Sequence, residues 1–489
     1  MKFDEIISSL NTDDKNLFYR EISFFIHEVF KNYLQVKNIG FHEIDGRFMP
    51  FDFISLDKIK DIEAPIYIEI KFSNNPLFVQ KTIENFHNLE LKTDIKPKSL
   101  LIITNLSSVQ IKMIKSKFNI AENIHIYGKD FIDQILELNP VYSKKLLDNL
   151  NAYILKSIFS REGSEWKKDR EIIIKNLKEN FTHGNFALLL GAGVSCDANL
   201  PSWEKLISSL LIKSFSEIIS DNNEFKDESI KRLSDTFKKN QFSSALLSAR
   251  YLKKLFTSQN ESSEKFVNIL HEILYHSTHI NRNSKLLESI AKLCVPTRIR
   301  AHVDSIITYN FDDLIEQKLE SKNLKYHVIS NSLEIPSLQE LPIYHVHGFI
   351  PENENKYSND ITNDLVFSED GYHKMYSEPY HWSNLVQLTH LREKVCLMIG
   401  LSMDDPNLRR LLDIVSNSST QPKHYTILQR VKLKELLPNA PTQEENELAQ
   451  IILHSHHQLQ EKLFKDLGVN VIWYEEYSDI PAILEMLLQ

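Results

Sequence analysis

The chain has 489 residues, is 42% hydrophobic and 25% charged, and carries a net charge of −9. That length supports roughly two to four domains with real cores, and the acidic balance excludes a surface that binds nucleic acid throughout, leaving room only for a local basic patch. Three widely spaced cysteines, Cys196, Cys294 and Cys396, form no C-x-x-C pair; a four-cysteine zinc module is excluded and a disulfide framework is not expected, so we expect no zinc and a reducing cytosol. The N-terminus, MKFDEIISSLNTDDKNLFYR, lacks the apolar core of a signal peptide, and no apolar run reaches about 20 residues. The expectation is a cytoplasmic protein with no membrane contact.

Residues 15–37 place Leu17, Phe18, Ile22, Phe25, Ile26, Val29, Phe30 and Leu34 at helical spacing. Three strand-like runs follow, at 51–56, 66–72 and 99–104, with a helix between the last two and another near 107–117. A short strand at 124–127 leads through Gly128 into a helix over about 130–138. Glu69 and Lys71 fall on one face of their strand by period-two alternation, and Asp52 lies on the neighbouring strand of a hairpin. Two carboxylates and a lysine at a sheet edge can hold Mg²⁺ and orient a water against a phosphodiester. A solvated polar strand face also reads E-I-K, and that tripeptide is common.

Residues 140–185 are charged and helical in period, with a break at Arg161-Glu162-Gly163-Ser164. The expected organisation is a first domain over 1–150, a helical linker over 151–185, and a second domain over 186–489 with a helical insertion at 204–300. The second domain opens with FALLLGAGVSCDANLPSW, residues 186–203: an apolar strand, the turn Gly191-Ala192-Gly193, then Ser195. Glycines at such a turn admit a phosphate close to the backbone, and the following N–H groups favour an anion. Cys196 stands where a third glycine of G-x-G-x-x-G would be, and an ordinary tight turn has the same appearance.

Strand character returns at 303–310, ending in Thr308-Tyr309-Asn310-Phe311-Asp312-Asp313. Polar groups at strand C-termini are where open α/β sheets bind ligands, although Asp312 or Asp313 also suits a helix cap. The run LPIYHVHGFI, 341–350, presents His347 before Gly348; His345 reads as structural. KVCLMIGLSMDD, 394–405, ends a fourth strand in Gly400-Leu401-Ser402. The tail adds strands at 425–428 and 469–473 and helices between and after them. His454, His456 and His457 read as solvated.

Two ordered motif sets carry family resemblances. The helix, Asp52 strand, Glu69-Ile70-Lys71 strand, helix, apolar strand ending Thr104-Asn105 and Gly128 turn resemble the PD-(D/E)XK nuclease fold, in its Mrr-like restriction endonuclease branch. The resemblance implies Asp52 and Glu69 as metal ligands for Mg²⁺, Lys71 as the catalytic lysine, and DNA as partner. Either Glu28 or Glu21 could be the extra acid of the first helix. Pro50 is separated from Asp52 by Phe51, unlike the family motif.

Gly191-Ala192-Gly193-x-Ser195, Thr308-x-Asn310-x-Asp312, His347-Gly348 and Gly400-x-Ser402 occur in the order found in sirtuins. With Leu200-Pro201-Ser202-Trp203 and Asp404-Asp405-Pro406 they look most like the sirtuin-like domains of bacterial antiphage defence proteins. The fold class implied is α/β: a restriction-endonuclease-like domain followed by a Rossmann-like parallel sheet that binds NAD⁺. The resemblance implies NAD⁺ cleavage to nicotinamide and ADP-ribose. Asn310 would position ribose and water, and His347 would act as base or ribose-hydroxyl partner. Asp312 would hold the ribose or shape the pocket, Thr308 would belong to the same motif, and Gly191, Ala192, Gly193 and Ser195 would hold phosphates, with Gly400 and Ser402 closing the other side. The zinc cysteines and the Phe-Arg pair of protein deacetylases are missing, so deacylation is the least expected activity. A phage-derived trigger, partner subunits and homo-oligomers fit an effector of this kind. The alternative function is a sensor of NAD⁺ or ADP-ribose that gates a DNA nuclease.

Overall fold

The computed structural model describes residues 2–9, 15–44, 51–72, 77–89, 98–118, 120–150, 152–154, 166–219, 245–256, 263–276, 279–296, 302–331, 337, 339–357, 365–378, 380–416, 422–437 and 442–489. Pro50, residues 161–164 and the side chains of Leu17 and Phe18 lie outside the described set. The chain forms two compact units, Met1–Glu162 and Gly163–Gln489.

The first unit is built on a five-stranded sheet whose strands lie side by side in chain order: β1 (Phe41–Glu43), β2 (Phe53–Ser55), β3 (Ile66–Ile70), β4 (Ser99–Ile103) and β5 (Ile124–Tyr127). The β1–β2 and β2–β3 pairs are antiparallel, and β3–β4 and β4–β5 are parallel. Parallel neighbours need crossovers, which the helices Leu77–Leu89 and Ser108–Phe118 supply. Because both faces are covered, β3 and β4 are buried along their whole length. On one face, Ile22, Phe25, Ile26, Val29, Phe30 and Leu34 of the helix Lys15–Val36 pack with Phe53, Ile66 and Ile68. On the other, Tyr67, Leu100 and Ile102 pack with Phe78, Val79 and Phe86. The strands are shorter than their apolar runs. Asp52 stands just before β2 and Lys71 just after β3, so both sit at the end of the sheet.

The second unit holds seven strands: β6 (Phe186–Leu190), β7 (Val303–Thr308), β8 (Tyr326–Ile329), β9 (Leu341–His345), β10 (Val395–Ile399), β11 (His424–Gln429) and β12 (Val469–Tyr474). Their order is β12-β11-β10-β6-β7-β9-β8, and every pairing is parallel. From β6 the chain goes outward through β7, then returns to β10 on the other side of β6. Strand order therefore reverses around β6, and the carboxyl ends of strands at such a reversal are where open α/β sheets accept ligands.

The stretch expected as a linker is in part a core helix. Trp166–His183 buries Ile174, Leu177 and Phe181 in the cluster that contains Phe186 and Leu188. Its many charges mask three apolar positions that seat it. The described parts of the expected insertion are the helices Trp203–Ile219, Ala245–Phe256, Ser263–His271 and Lys285–Leu293, with a π-helical turn at Glu272–His276. Leu206, Leu210, Leu252, Leu270 and Leu287 join the same core. Among the described residues, no helix is long and apolar enough to cross a membrane.

Candidate active site at the strand ends of the second unit

Gly191 follows β6 and donates its N–H to Ile399 O at 3.0 Å; Gly193 donates to Gly400 O at 2.9 Å. These two loops cross with almost no room between them. A Cβ on Gly193 would lie 2.7 Å from Gly400 Cα, and one on Gly400, at φ +69, would lie 2.6 Å from Val194 N. The glycines therefore serve a backbone-to-backbone crossing, and the N–H groups of Gly191 and Gly193, expected to hold phosphates, are already donated within the protein. Ala192 and Ser402 are exposed. Gly193→Ala is expected to lower unfolding free energy by about 2 kcal/mol, as overpacking of a closed contact does, read by chemical denaturation.

Asn310 follows β7. Its amide Nδ2 donates to Gly191 O at 3.1 Å and to Ser195 Oγ at 2.9 Å. Ser195 Oγ in turn donates to Asp312 Oδ2 at 2.7 Å, and Asp312 Oδ1 accepts from Leu314 N at 3.2 Å. One network thus joins the ends of β6 and β7. With both amide hydrogens committed, the side-chain oxygen of the half-buried Asn310 is the group it has left to offer. Thr308 is spent beneath the loop: it is buried, and its hydroxyl accepts the Asn310 N–H at 3.1 Å.

Burial pushes the Asp312 carboxyl up to about 6, against the hydrogen bonds from Ser195 and Leu314. The folded value is raised, so its stability contribution is complete below the ordinary carboxylate value and is lost as pH rises through about 6. The whole effect is about 3 kcal/mol, roughly half of it between pH 5 and pH 8. Asp312→Asn removes this slope, so the variant is expected to gain on the wild type as pH rises from 5 to 8, measured by urea denaturation at both ends.

His347 follows β9. It is buried, and burial lowers its pKa, favouring the neutral imidazole, while Asp405 opposes that shift. Its Nε2 is enclosed without a hydrogen bond, 3.6 Å from Asp405 Oδ2. Tyr309 meets the ring edge-on at 4.8 Å. His345 is structural, as its sequence position suggests: fully buried, it lies 2.8 Å from Glu316 Oε1 through Nε2 and 3.1 Å from Asn310 O through Nδ1. Asp313 is also structural, accepting from Gln317, Tyr357 and the Glu352 N–H.

Asp405, Tyr372, Glu316 and Gln387 are the neighbours for which sequence reasoning found no role; only Asp405 carried a signal, within Asp404-Asp405-Pro406. Cys196 is half-buried and its thiol is pushed up by burial, so it stays protonated at neutral pH. His457 is not solvated. It is buried against Trp473 at 5.1 Å, and its Nε2 accepts the Val431 N–H at 3.1 Å. The helix surface reads polar there, but one of its faces meets β12.

In the first unit the three expected residues converge. Asp52 Oδ2 accepts the Ile70 N–H at 2.6 Å, and Lys71 Nζ lies 3.8 Å from Glu69 Oε1. Burial raises the pKa of both Asp52 and Glu69, and the Asp52 charge pushes Glu69 further up; burial lowers that of Lys71. Two carboxylates that each disfavour the other's charge form a donor set that suits a divalent cation. His27, Glu28 and Glu43 gather beside them, with ligand atoms within 4.8 Å of one another. Of the two acids left open by the sequence, Glu28 is the one in this cluster. His27, stacked on Phe53 at 4.4 Å, and Glu43 carried no sequence signal.

An all-parallel sheet with amide, carboxylate and imidazole groups gathered where strand order reverses defines the ligand-binding class of open α/β units. Residues 304–454 match the family of the SIR2-like domain. The chain is 24% identical over 324 residues to the NAD(+) hydrolase ThsA of Enterococcus faecium, covering 65% of this chain and 58% of that protein. It is 23% identical over 323 residues to NAD(+) hydrolase ThsA of Acinetobacter baumannii (strain 532279), covering 64% and 54%. A third such protein, from Bacillus cereus (strain MSX-D12), is 24% identical over 270 residues, covering 53% and 46%. The chain thus spans between 46% and 58% of the length of these relatives.

Proposed function

We propose that the second unit binds NAD⁺ at the carboxyl ends of β6, β7, β9 and β10 and hydrolyses it to nicotinamide and ADP-ribose, as an effector of bacterial antiphage defence. The observation that carries this reading is the Asn310–Ser195–Asp312 network, which holds one amide oxygen at the strand ends beside a buried, neutral His347. The SIR2-like match over 304–454 and the NAD(+) hydrolase relatives support it.

In that reaction the bond between the ribose anomeric carbon and the nicotinamide nitrogen breaks. Its electron pair goes to the nitrogen and discharges the pyridinium, leaving an oxocarbenium-like ribose that water attacks, as in glycoside hydrolysis. The Asn310 side-chain oxygen would accept from the water or a ribose hydroxyl and so fix its position. Neutral His347 would take the proton that water loses. Ala192 and Ser402 would flank the phosphates from the exposed loop tips, while Gly191, Gly193 and Gly400 hold the two loops together. Incubation of the purified chain with NAD⁺, with and without DNA, Mg²⁺ and phage lysate, tests this. Equal amounts of nicotinamide and ADP-ribose are expected under at least one condition; cyclic ADP-ribose as sole product would redirect the mechanism, and unchanged NAD⁺ throughout would refute it.

The first unit supports a further reading, in which a nuclease-like domain senses or cuts nucleic acid. Its Asp52–Glu69–Lys71 cluster favours this, with Asp52 and Glu69 as holders of Mg²⁺, which would supply charge neutralisation at a phosphodiester. Lys71 would steady the developing charge. Lys71→Met is expected to lower Mg²⁺-dependent DNA cleavage by about 100-fold or more, assayed on plasmid DNA. Equal cutting by variant and wild type would leave the first unit a binding module. If DNA cutting depended on NAD⁺ that is never consumed, the chain would be a sensor gating a nuclease.

A further inference from the structure

Asp405, in the loop after β10, divides its two oxygens between different tasks. Oδ1 accepts the Leu408 N–H at 2.7 Å and caps the helix Pro406–Ser416. Oδ2 accepts the Tyr372 hydroxyl at 2.5 Å and lies 3.6 Å from His347 Nε2. A helix cap needs one oxygen, so the second is left for a different use. His347 Nε2 is enclosed and makes no hydrogen bond, and Asp405 Oδ2 is the carboxylate it faces. Tyr372, from the helix Glu369–Ser377, also meets the imidazole edge-on, with centroids 5.8 Å apart.

We propose that Asp405 is a positioning residue that orients His347 and balances the imidazolium formed in turnover, and that Tyr372 limits this pairing by competing for the same carboxylate oxygen. The catalytic part of this rests on the NAD⁺-cleaving reading; the pairing itself does not. When His347 gains a proton, both ring nitrogens carry hydrogen, and the Nε2–H has Asp405 Oδ2 as its acceptor. The 3.6 Å separation exceeds the roughly 2.7–3.2 Å of a hydrogen bond, so ring and carboxylate must close on each other as the charge forms. Tyr372 opposes that closure, because it already draws on Oδ2.

The other groups around the pair do not supply the same charge. The Tyr309 hydroxyl turns away and donates to Gln387 Oε1 at 2.5 Å. Tyr376, one turn beyond Tyr372, feels the Asp405 charge and lies 5.2 Å beneath the Arg410 guanidinium. Burial works against protonation of His347, and Asp405 is the group that favours it.

The test is a titration of His347 by NMR in full-length protein labelled with ¹⁵N-histidine, the signal assigned by its loss in His347→Gln. Wild type, Asp405→Asn and Tyr372→Phe are compared. Asp405→Asn keeps an oxygen for the helix cap and is expected to lower the His347 pKa by about one unit or more; Tyr372→Phe, which leaves the cap intact, is expected to raise it. Where NAD⁺ is turned over, the acid limb of kcat moves in the same two directions while KM stays within a few-fold. Opposite shifts support the pairing even in a protein that consumes no NAD⁺, an outcome that counts against the hydrolase reading alone. An unmoved titration in both folded variants, or shifts of the same sign, overturns it.

Discussion

Asn310→Ala is expected to reduce the rate of NAD⁺ hydrolysis by about 100-fold or more, with the fold retained. The side chain lies at the junction of two loops: its amide hydrogens are held by Gly191 O and Ser195 Oγ, and the proposed reaction uses the remaining side-chain oxygen. A held polar group matters more in the transition state than in the ground state, because it needs no reorganisation as charge develops; single groups of this kind are worth roughly 10²–10³ in kcat. NAD⁺ affinity should fall much less if, as proposed, binding is spread over the other strand ends. Steady-state kinetics and equilibrium binding separate the two. A fall in affinity that fully accounts for lost activity would assign Asn310 to binding rather than to the reaction.

Glu316→Ala is expected to destabilise the second unit by about 2–5 kcal/mol, the cost of removing one partner of a buried hydrogen bond and leaving a cavity in its place. Glu316 and His345 are both fully buried, 2.8 Å apart. His345 faces a carboxylate through one nitrogen and the Asn310 carbonyl through the other, so the pair anchors the backbone of the loop that carries Asn310. Deleting the carboxylate leaves a buried imidazole nitrogen without a partner beside a new void. Glu316→Gln keeps an acceptor at that nitrogen and should cost less. Urea denaturation followed by tryptophan fluorescence reads both; equal stability of Glu316→Ala and wild type would contradict this account of the loop.

Much of the sheet was legible because apolar runs end in residues with no reason to be there except chemistry or a turn. The runs before Gly191, Asn310 and Gly400 and near His347 became β6, β7, β10 and β9, and Glu69-Ile70-Lys71 marked the end of β3. The function of individual groups was less legible. A glycine that admits a phosphate and one that admits another backbone look identical in sequence. The crossing of Gly193 with Gly400 joins positions far apart in the chain, and no spacing rule reveals it. Thr308 looked like a ligand contact because it is two residues before Asn310, yet it is buried and its hydroxyl accepts the Asn310 N–H. Trp166–His183 looked like a linker because charges outnumber the apolar residues that seat it. His457 looked solvated because one partner, Trp473, belongs to another element. Tyr372 and Asp405 meet only after a helix and a strand have folded between them.

The central claim, that NAD⁺ is cleaved at the strand ends of the second unit, is tested most directly by nicotinamide release. Wild type, Asn310→Ala and Lys71→Met would be followed in parallel by chromatography under the activating condition. We predict release by wild type and by Lys71→Met in the presence of a trigger that does not require DNA cutting, and about 100-fold slower release by Asn310→Ala. Release by Asn310→Ala at the wild-type rate would contradict the account.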